Sequence, residues 1–189
     1  YAVDERRIYL TGSSGGGHMT LLMAARHPEV WAAASAWVPI SDLAAWHDFN
    51  ADGRYGEMLR ACTGGRPGDS PEVDSEYRER SPLFWLGGAR TVPLDIAAGV
   101  RDGHEGSVPI RHTLLAFNRV AETVDGEPVT VGPQARLAQP KPSDTVEDAA
   151  LGRAIYLRRQ SSRARVTIFE GGHEGIAAAA VDWLRRYPE

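Results

Sequence analysis

Cysteine and lysine are almost absent from this sequence of 189 residues, since each occurs once, as Cys62 and Lys141. A single cysteine excludes an internal disulfide and leaves the redox compartment of the protein open. Positive charge comes almost entirely from arginine, and the net charge of −4 provides no basic surface for nucleic acid or an anionic membrane. We therefore expect neither nucleic acid nor a membrane as a partner.

Long apolar runs are also lacking, because no stretch approaches the roughly 20 apolar residues that a transmembrane helix needs. The sequence starts at Tyr1 without an initiator Met, and its first residues carry no targeting signal, so the compartment stays open. Tyr1 stands only six residues before a predicted buried strand. We therefore expect this chain to be part of a longer protein.

Hydrophobic residues make up 42% of the sequence, which is enough for one compact domain. Short β-rich runs alternate with helical patterns, and this alternation predicts an α/β fold around a mostly parallel sheet. Strands are predicted at residues 7–11, 30–38, 92–99 and 165–169, with a partner for the last at 154–158. Helices are predicted at 16–27, 108–122 and 176–187, with shorter ones from a Ser41 cap to Phe49, at 55–61 and at 73–80.

Two irregular stretches interrupt this alternation. Residues 41–86 are polar and rich in glycine and proline in their middle part, which predicts an excursion that covers a pocket above the strand ends. Five aromatic residues of the excursion either shape that pocket or form a core of their own: Trp46, Tyr55, Tyr77, Phe84 and Trp85. Residues 124–145 are typical of a loop insertion.

The motif G-x-S-x-G occurs at residues 12–16, between the first predicted strand and an apolar helix. In that context it indicates a nucleophilic Ser14 on a tight turn, where glycines prevent collisions with the neighbouring backbone. The N–H of Gly15 is then placed to stabilise an oxyanion. Ser13 does not fit, because Thr11 would occupy the first glycine position. An ordinary glycine-rich turn is the alternative, and no nucleotide-binding P-loop pattern is present.

The tetrapeptide GHEG occurs at residues 103–106 and again at 172–175. His173 follows the last predicted strand, where hydrolases with this chain order carry the catalytic base. Asp102 follows the third strand, in the loop expected for the acid that orients the base. We expect His104 to be a solvated loop residue or a contact on the substrate side.

A metal site is the alternative for both GHEG copies, since H-E-x-x-H places two ligands one turn apart on a helix. Val108 and Ala177 stand where the second histidines would be, so neither copy completes the motif. We expect no metal and no other cofactor.

Four segments together resemble the catalytic domain of the prolyl oligopeptidase family of serine hydrolases: RIYLTGSSGGGHMTL, YRERSPLFWL, GVRDGHEGSVP and IFEGGHEG. The resemblance implies an α/β-hydrolase fold and a triad of Ser14, Asp102 and His173. The family pattern has two residues between the acid and a Val-Pro pair, whereas five separate Asp102 from Val108. Counting back from Val108 nominates Glu105 as the acid, but the spacing from Gly99 favours Asp102.

The resemblance also implies that the first strands of the fold and the second oxyanion donor lie upstream of this chain. It favours a serine-type peptidase that acts on peptides through an acyl-serine intermediate. A carboxylesterase acting on acylated sugars or small esters is the alternative, because both activities use the same triad. An inactive fragment or a binding module is a further alternative, and the oligomeric state stays open.

Overall fold

The computed structural model describes residues 2–129 and 148–187. Within these ranges the chain forms five strands: β1 (Tyr9–Ser13), β2 (Ala33–Trp37), β3 (Leu94–Gly99), β4 (Ile155–Ser161) and β5 (Ala164–Phe169). It also forms six α-helices: α1 (Gly15–Arg26), α2 (Leu43–Phe49), α3 (Arg54–Thr63), α4 (Pro71–Arg80), α5 (Arg111–Ala121) and α6 (Ala177–Leu184). No helix in these ranges has the length and apolarity to cross a bilayer.

The strands form a single sheet in the order β1-β2-β3-β5-β4. Neighbouring strands are parallel from β1 to β5, and β4 pairs antiparallel with β5 at the far edge. All residues of β2, β3 and β5 are buried, as is expected for the inner strands of a parallel sheet that is covered on both faces. The predicted α/β fold with a mostly parallel sheet is therefore confirmed.

The main core lies between the sheet and the helices that flank it. Helix α1 packs on β1 and β2, α5 packs on β3 and β5, and α6 packs on β2. The largest fully buried side chains of this core include Leu21, Ile96, Phe117, Ile168 and Phe169. Because each parallel strand is followed by a connection at the same edge of the sheet, the loops after β1, β3 and β5 meet there.

Residues 41–86 carry α2, α3 and α4 and have a second, smaller core. This cluster consists of Ile40, Leu43, Trp46, Leu59, Tyr77 and Val108. Val108 belongs to the loop after β3, so the excursion packs directly against that loop.

Several predicted boundaries were wrong for local reasons. Helix α2 is capped by Asp42, which accepts from the backbone N–H groups of Ala44 and Ala45, whereas the Ser41 hydroxyl donates to the carbonyl of His112. Helix α5 begins at Arg111 instead of Val108, because the Val108 N–H donates to Asp102 and is held outside the helix. Residues 130–145 of the predicted loop insertion lie outside the described residues.

Candidate active site

Ser14 stands between the last residue of β1 and the first residue of α1. Its backbone has φ 58° and ψ −117°, which an L-residue adopts only when the surrounding structure imposes it. The Ser14 N–H donates to the carbonyl of Trp37 at 2.9 Å, and the Ser14 carbonyl accepts from the N–H of His18 at 2.8 Å. Strand β2 and helix α1 therefore hold this strained turn from both sides.

Two glycines make the turn possible. A Cβ on Gly12 would lie 2.5 Å from the backbone of Gly16, and a Cβ on Gly17 would lie 2.5 Å from the carbonyl oxygen of Trp37. The expectation that Gly16 itself must lack a side chain was wrong, since a Cβ there would meet nothing within 4 Å. Gly12 thus allows β1 to approach α1 closely, and Gly17 allows α1 to approach the end of β2.

A second strained residue lies beside this turn. Val38 has φ 42°, which is rare for a β-branched side chain, and its N–H donates to the carbonyl of Ala97 at 2.7 Å. It follows Trp37, whose ring packs edge-on against Phe169 with centroids 5.8 Å apart. Trp37 thus contacts both the serine turn and the end of β5, a connection that the sequence pattern did not indicate.

The histidine and the acidic residue lie at the ends of neighbouring strands. His173 follows β5, and its Nε2 lies 2.9 Å from the Oγ of Ser14. Asp102 follows β3, and its Oδ2 lies 2.8 Å from the Nδ1 of His173. Asp102 is fully buried, whereas the His173 side chain is 26% exposed, so the carboxylate is shielded and the imidazole reaches the surface.

Glycines also allow the two loops to meet. A Cβ on Gly99 would lie 2.3 Å from the carbonyl oxygen of Gly172, and one on Gly106 would lie 2.3 Å from Oδ1 of Asp102. Gly103 has φ +88° in the turn between them. The backbone after β3 therefore lies directly against the loop that carries His173.

The structure does not bring the other candidate residues into this arrangement. The side chain of Glu105 is 67% exposed and pairs with Arg101 at 3.1 Å, whereas His173 Nδ1 contacts Asp102. His104 is exposed in the same loop. His18 is half-buried beside the serine turn, and burial lowers its pKa although a contact with the Ile40 carbonyl opposes the shift.

Gly15 is the first residue of α1. The first N–H groups of a helix have no carbonyl partner within the helix, and the helix dipole places partial positive charge there. A Cβ on Gly15 would meet nothing within 4 Å, so the space beside it is open. This geometry suits an oxyanion donor next to the Ser14 hydroxyl.

The aromatic residues of the excursion divide into two groups. Tyr77 is buried in the small core, and its hydroxyl donates to the carbonyl of Gly65. Tyr55 and Phe84 are 40% and 39% exposed, and Tyr55 packs against Trp46 with ring centroids 5.0 Å apart and ring planes 39° apart. Among the described residues, no group of three or more His, Cys, Asp or Glu side chains could hold a metal ion.

The parallel sheet and the strand-to-helix turn at Ser14 are those of the α/β-hydrolase fold. The model of the prolyl oligopeptidase family matches residues 1–128. The chain therefore belongs to the prolyl oligopeptidase family. The matched range includes Ser14 and Asp102, and His173 lies beyond it.

Solved structures of peptidases share the fold. The acylaminoacyl peptidase of Pyrococcus horikoshii superposes with a TM-score of 0.58 at 19% identity, over 97% of this chain and 23% of that chain. A puromycin-hydrolyzing peptidase of Mycobacterium tuberculosis superposes with a TM-score of 0.59 at 19% identity, over 97% of this chain and 21% of that chain. Dipeptidyl peptidase 4 of Porphyromonas gingivalis reaches 26% identity and a TM-score of 0.51 over 64% of this chain and 15% of its own.

Curated relatives include esterases, with shorter matches. Acetylxylan esterase A of Aspergillus ficuum is 40% identical over 50 residues, which are 26% of this chain and 16% of the esterase. The probable acetylxylan esterase A of Neosartorya fischeri is 33% identical over 73 residues, or 39% of this chain and 19% of the esterase. The chain thus spans less than a quarter of the length of these peptidases and esterases.

Proposed function

We propose that this chain carries the catalytic triad of a serine peptidase that cleaves its substrate through an acyl-serine intermediate. The observation that carries the proposal is the continuous path from Ser14 Oγ through His173 to Asp102, with contacts of 2.9 Å and 2.8 Å. Packing alone does not require a serine, a histidine and a buried aspartate to meet at three separate loops. The same arrangement is what nucleophilic acyl transfer needs.

In the proposed reaction Ser14 Oγ attacks the carbonyl carbon of the substrate while His173 Nε2 removes the hydroxyl proton. The tetrahedral intermediate collapses when the carbon–nitrogen bond breaks, and His173 donates its proton to the leaving amine. Water then attacks the acyl-serine, His173 again accepts a proton, and the acid product leaves as Ser14 regains its hydrogen. Asp102 orients the imidazole and stabilises its charged form.

The negative oxygen of the tetrahedral intermediate needs hydrogen-bond donors. We assign the N–H of Gly15 to this role because it lies next to Ser14 at the N-terminus of α1. One such donor lowers the barrier by about 3 kcal/mol. The excursion at residues 41–86 serves, in this proposal, as the cover of the substrate pocket, with the exposed Tyr55 as one of its aromatic residues.

The peptide substrate is supported by membership of the prolyl oligopeptidase family and by the three peptidases that share the fold. Ester hydrolysis is the second candidate, and the matches to two acetylxylan esterases favour it. Turnover of aminoacyl-arylamides against short-chain aryl esters distinguishes the two. We expect hydrolysis of the arylamides if the protein is a peptidase, and hydrolysis of the esters alone if it is an esterase.

Labelling with a fluorophosphonate probe tests the nucleophile itself. We expect the wild-type protein and Ser13→Ala to be labelled, and Ser14→Ala to lose the label, because only the Ser14 hydroxyl contacts His173. Ser13 is the matched control, since it is the adjacent serine on β1. Equal labelling of Ser14→Ala and wild type, or no labelling of any of the three in the full-length protein, would contradict the proposal.

A further inference from the structure

The buried carboxylate of Asp102 uses its two oxygens differently. Oδ2 faces the Nδ1 of His173 at 2.8 Å. Oδ1 accepts from the backbone N–H groups of Gly103 at 3.0 Å and Val108 at 3.2 Å. The plane of the carboxylate is therefore set in part by the N–H of Val108, six residues further along the chain.

The N–H of Val108 belongs to the same peptide group as the carbonyl of Ser107. That carbonyl accepts from the indole Nε1 of Trp46 at 2.8 Å and from the side-chain amide of Asn50 at 3.3 Å. A peptide group is planar, so donors that fix the carbonyl oxygen also fix the direction of the N–H. Hydrogen bonds in series also polarise one another, which strengthens the N–H as a donor to Asp102.

Packing reinforces these hydrogen bonds. Trp46 is 8% exposed and Val108 is 1% exposed, and both belong to the small core of the excursion. The indole ring of Trp46 also packs against the ring of Tyr55. Helix α2 thus holds both sides of the Ser107–Val108 peptide, through the indole N–H and through apolar contact.

We propose that Trp46, assisted by Asn50, is a positioning residue for Asp102. Helix α2 fixes the Ser107–Val108 peptide, this peptide fixes the carboxylate, and the carboxylate orients His173. The inference rests on the proposed function for its effect on turnover. Its effect on the contact between Asp102 and His173 is measurable without turnover.

Trp46→Phe tests the inference, because it keeps an aromatic ring beside Tyr55 and removes the indole N–H. We expect kcat/KM to fall about three- to tenfold, which is the loss expected for one hydrogen bond. The fall lies mainly in kcat. The acid limb of the pH profile of kcat/KM shifts to lower pH, because a misoriented Asp102 stabilises the charged imidazole less. The low-field proton signal of His173 Nδ1–H in the NMR spectrum moves upfield.

Trp31→Phe is the matched control, since it also removes an indole N–H that donates to a backbone carbonyl, that of Met23 at 3.1 Å. We expect its pH profile and its low-field proton signal to match those of the wild type. Asn50→Ala removes the second donor to Ser107 and should shift both quantities in the same direction by less. If thermal unfolding shows that Trp46→Phe does not fold, Asn50→Ala tests the inference in its place.

A raised KM with an unchanged pH profile and an unchanged proton signal in Trp46→Phe would overturn the inference, since Trp46 would then act only on the substrate. Failure of the proposed function has a different signature. In that case the wild-type protein takes up no fluorophosphonate, while the proton signal of His173 still responds to Trp46→Phe if α2 positions Asp102.

Discussion

Gly106 shows how closely single atoms are arranged around the acid. A Cβ at this position would lie 2.3 Å from Oδ1 of Asp102 and 2.7 Å from Cβ of His173. These positions cannot all be kept, so Gly106→Ala must displace the loop backbone, the Asp102 carboxylate or His173, and each displacement disturbs the contact between Asp102 and His173. We expect kcat/KM to fall by one to two orders of magnitude, the range seen when a catalytic contact is displaced by about 1 Å.

The second GHEG copy provides the control for this prediction. A Cβ on Gly172 would meet nothing within 4 Å, and Gly172 precedes His173 directly. Gly172→Ala should retain kcat/KM within about twofold. Equal losses of kcat/KM in Gly106→Ala and Gly172→Ala would show that the clash at Gly106 does not cause the loss.

The residues proposed as the triad could be chosen from the sequence because each follows a predicted strand of the parallel sheet. Ser14 also stands in a recognisable glycine pattern, which indicates a strained turn. The hydrogen bonds from Trp46 and Asn50 to Ser107 could not be predicted in the same way. They join residues 61 and 57 positions apart, and their existence depends on the path of the excursion.

Helix α5 carries His112, which the folded protein holds in its neutral form. His112 is 4% exposed, and its Nδ1 lies 3.3 Å and 3.4 Å from the backbone nitrogens of Ser41 and Asp42. Both N–H groups donate to a neutral imidazole. Burial lowers the pKa of His112 from 6.5 to about 4, and the nearby charges of Asp42 and Asp102 oppose the shift only in part.

This pKa makes stability depend on pH in a definite direction. Between pH 6.5 and about 4 the unfolded chain binds a proton at His112 that the folded chain does not, so the free energy of unfolding falls as the pH falls. The loss approaches ~3 kcal/mol near pH 4. Urea unfolding of the wild type and of His112→Asn at pH 7 and pH 4.5 measures it.

The Asn side chain keeps an acceptor near the position of Nδ1 and does not titrate. We expect the His112→Asn variant to lose less stability on acidification than the wild type does. His27→Asn is the control, because the side chain of His27 is 52% exposed, and it should leave the acid loss unchanged. If His112→Asn loses as much stability on acidification as the wild type does, other titratable groups cause that loss.

The elements themselves were predicted with errors at their ends. Strands β1, β2, β3 and β5 and helices α1 and α6 were recognised from apolar runs and glycine or proline boundaries, with ends shifted by at most three residues. The start of α5 was placed three residues too early. The pattern of apolar residues continues through Val108, but the peptide there is held by Asp102, and periodicity carries no information on that contact.

A buried charged pair joins the inner strands of the sheet. Arg165 of β5 donates to Asp95 of β3 at 2.8 Å, and their side chains are 8% and 2% exposed. Asp95 also accepts from the hydroxyl of Ser35 in β2, and the guanidinium of Arg165 lies 4.4 Å from the ring centroid of Trp183 in α6. The network therefore crosses three strands and reaches the last helix.

Removal of one partner of this charged pair should destabilise the folded protein. Asp95→Ala leaves the guanidinium of Arg165 buried without its carboxylate, and we expect the free energy of unfolding to fall by about 3–5 kcal/mol. The double variant Asp95→Ala/Arg165→Met removes both charges and should recover most of that loss. Urea unfolding of the two variants measures both values, and a double variant no more stable than the single one would contradict the explanation.

The order of the strands also determines how many strand pairs each contact of the proposed triad depends on. Asp102 and His173 follow β3 and β5, which are hydrogen-bonded neighbours in the sheet. Ser14 follows β1, and the pairs β1–β2, β2–β3 and β3–β5 lie between it and the strand that precedes His173. The distance between acid and base therefore depends on the register of one strand pair, and the distance between base and serine depends on the registers of three. A small shear spread evenly through the sheet accordingly displaces the hydroxyl from the imidazole further than it displaces the imidazole from the acid.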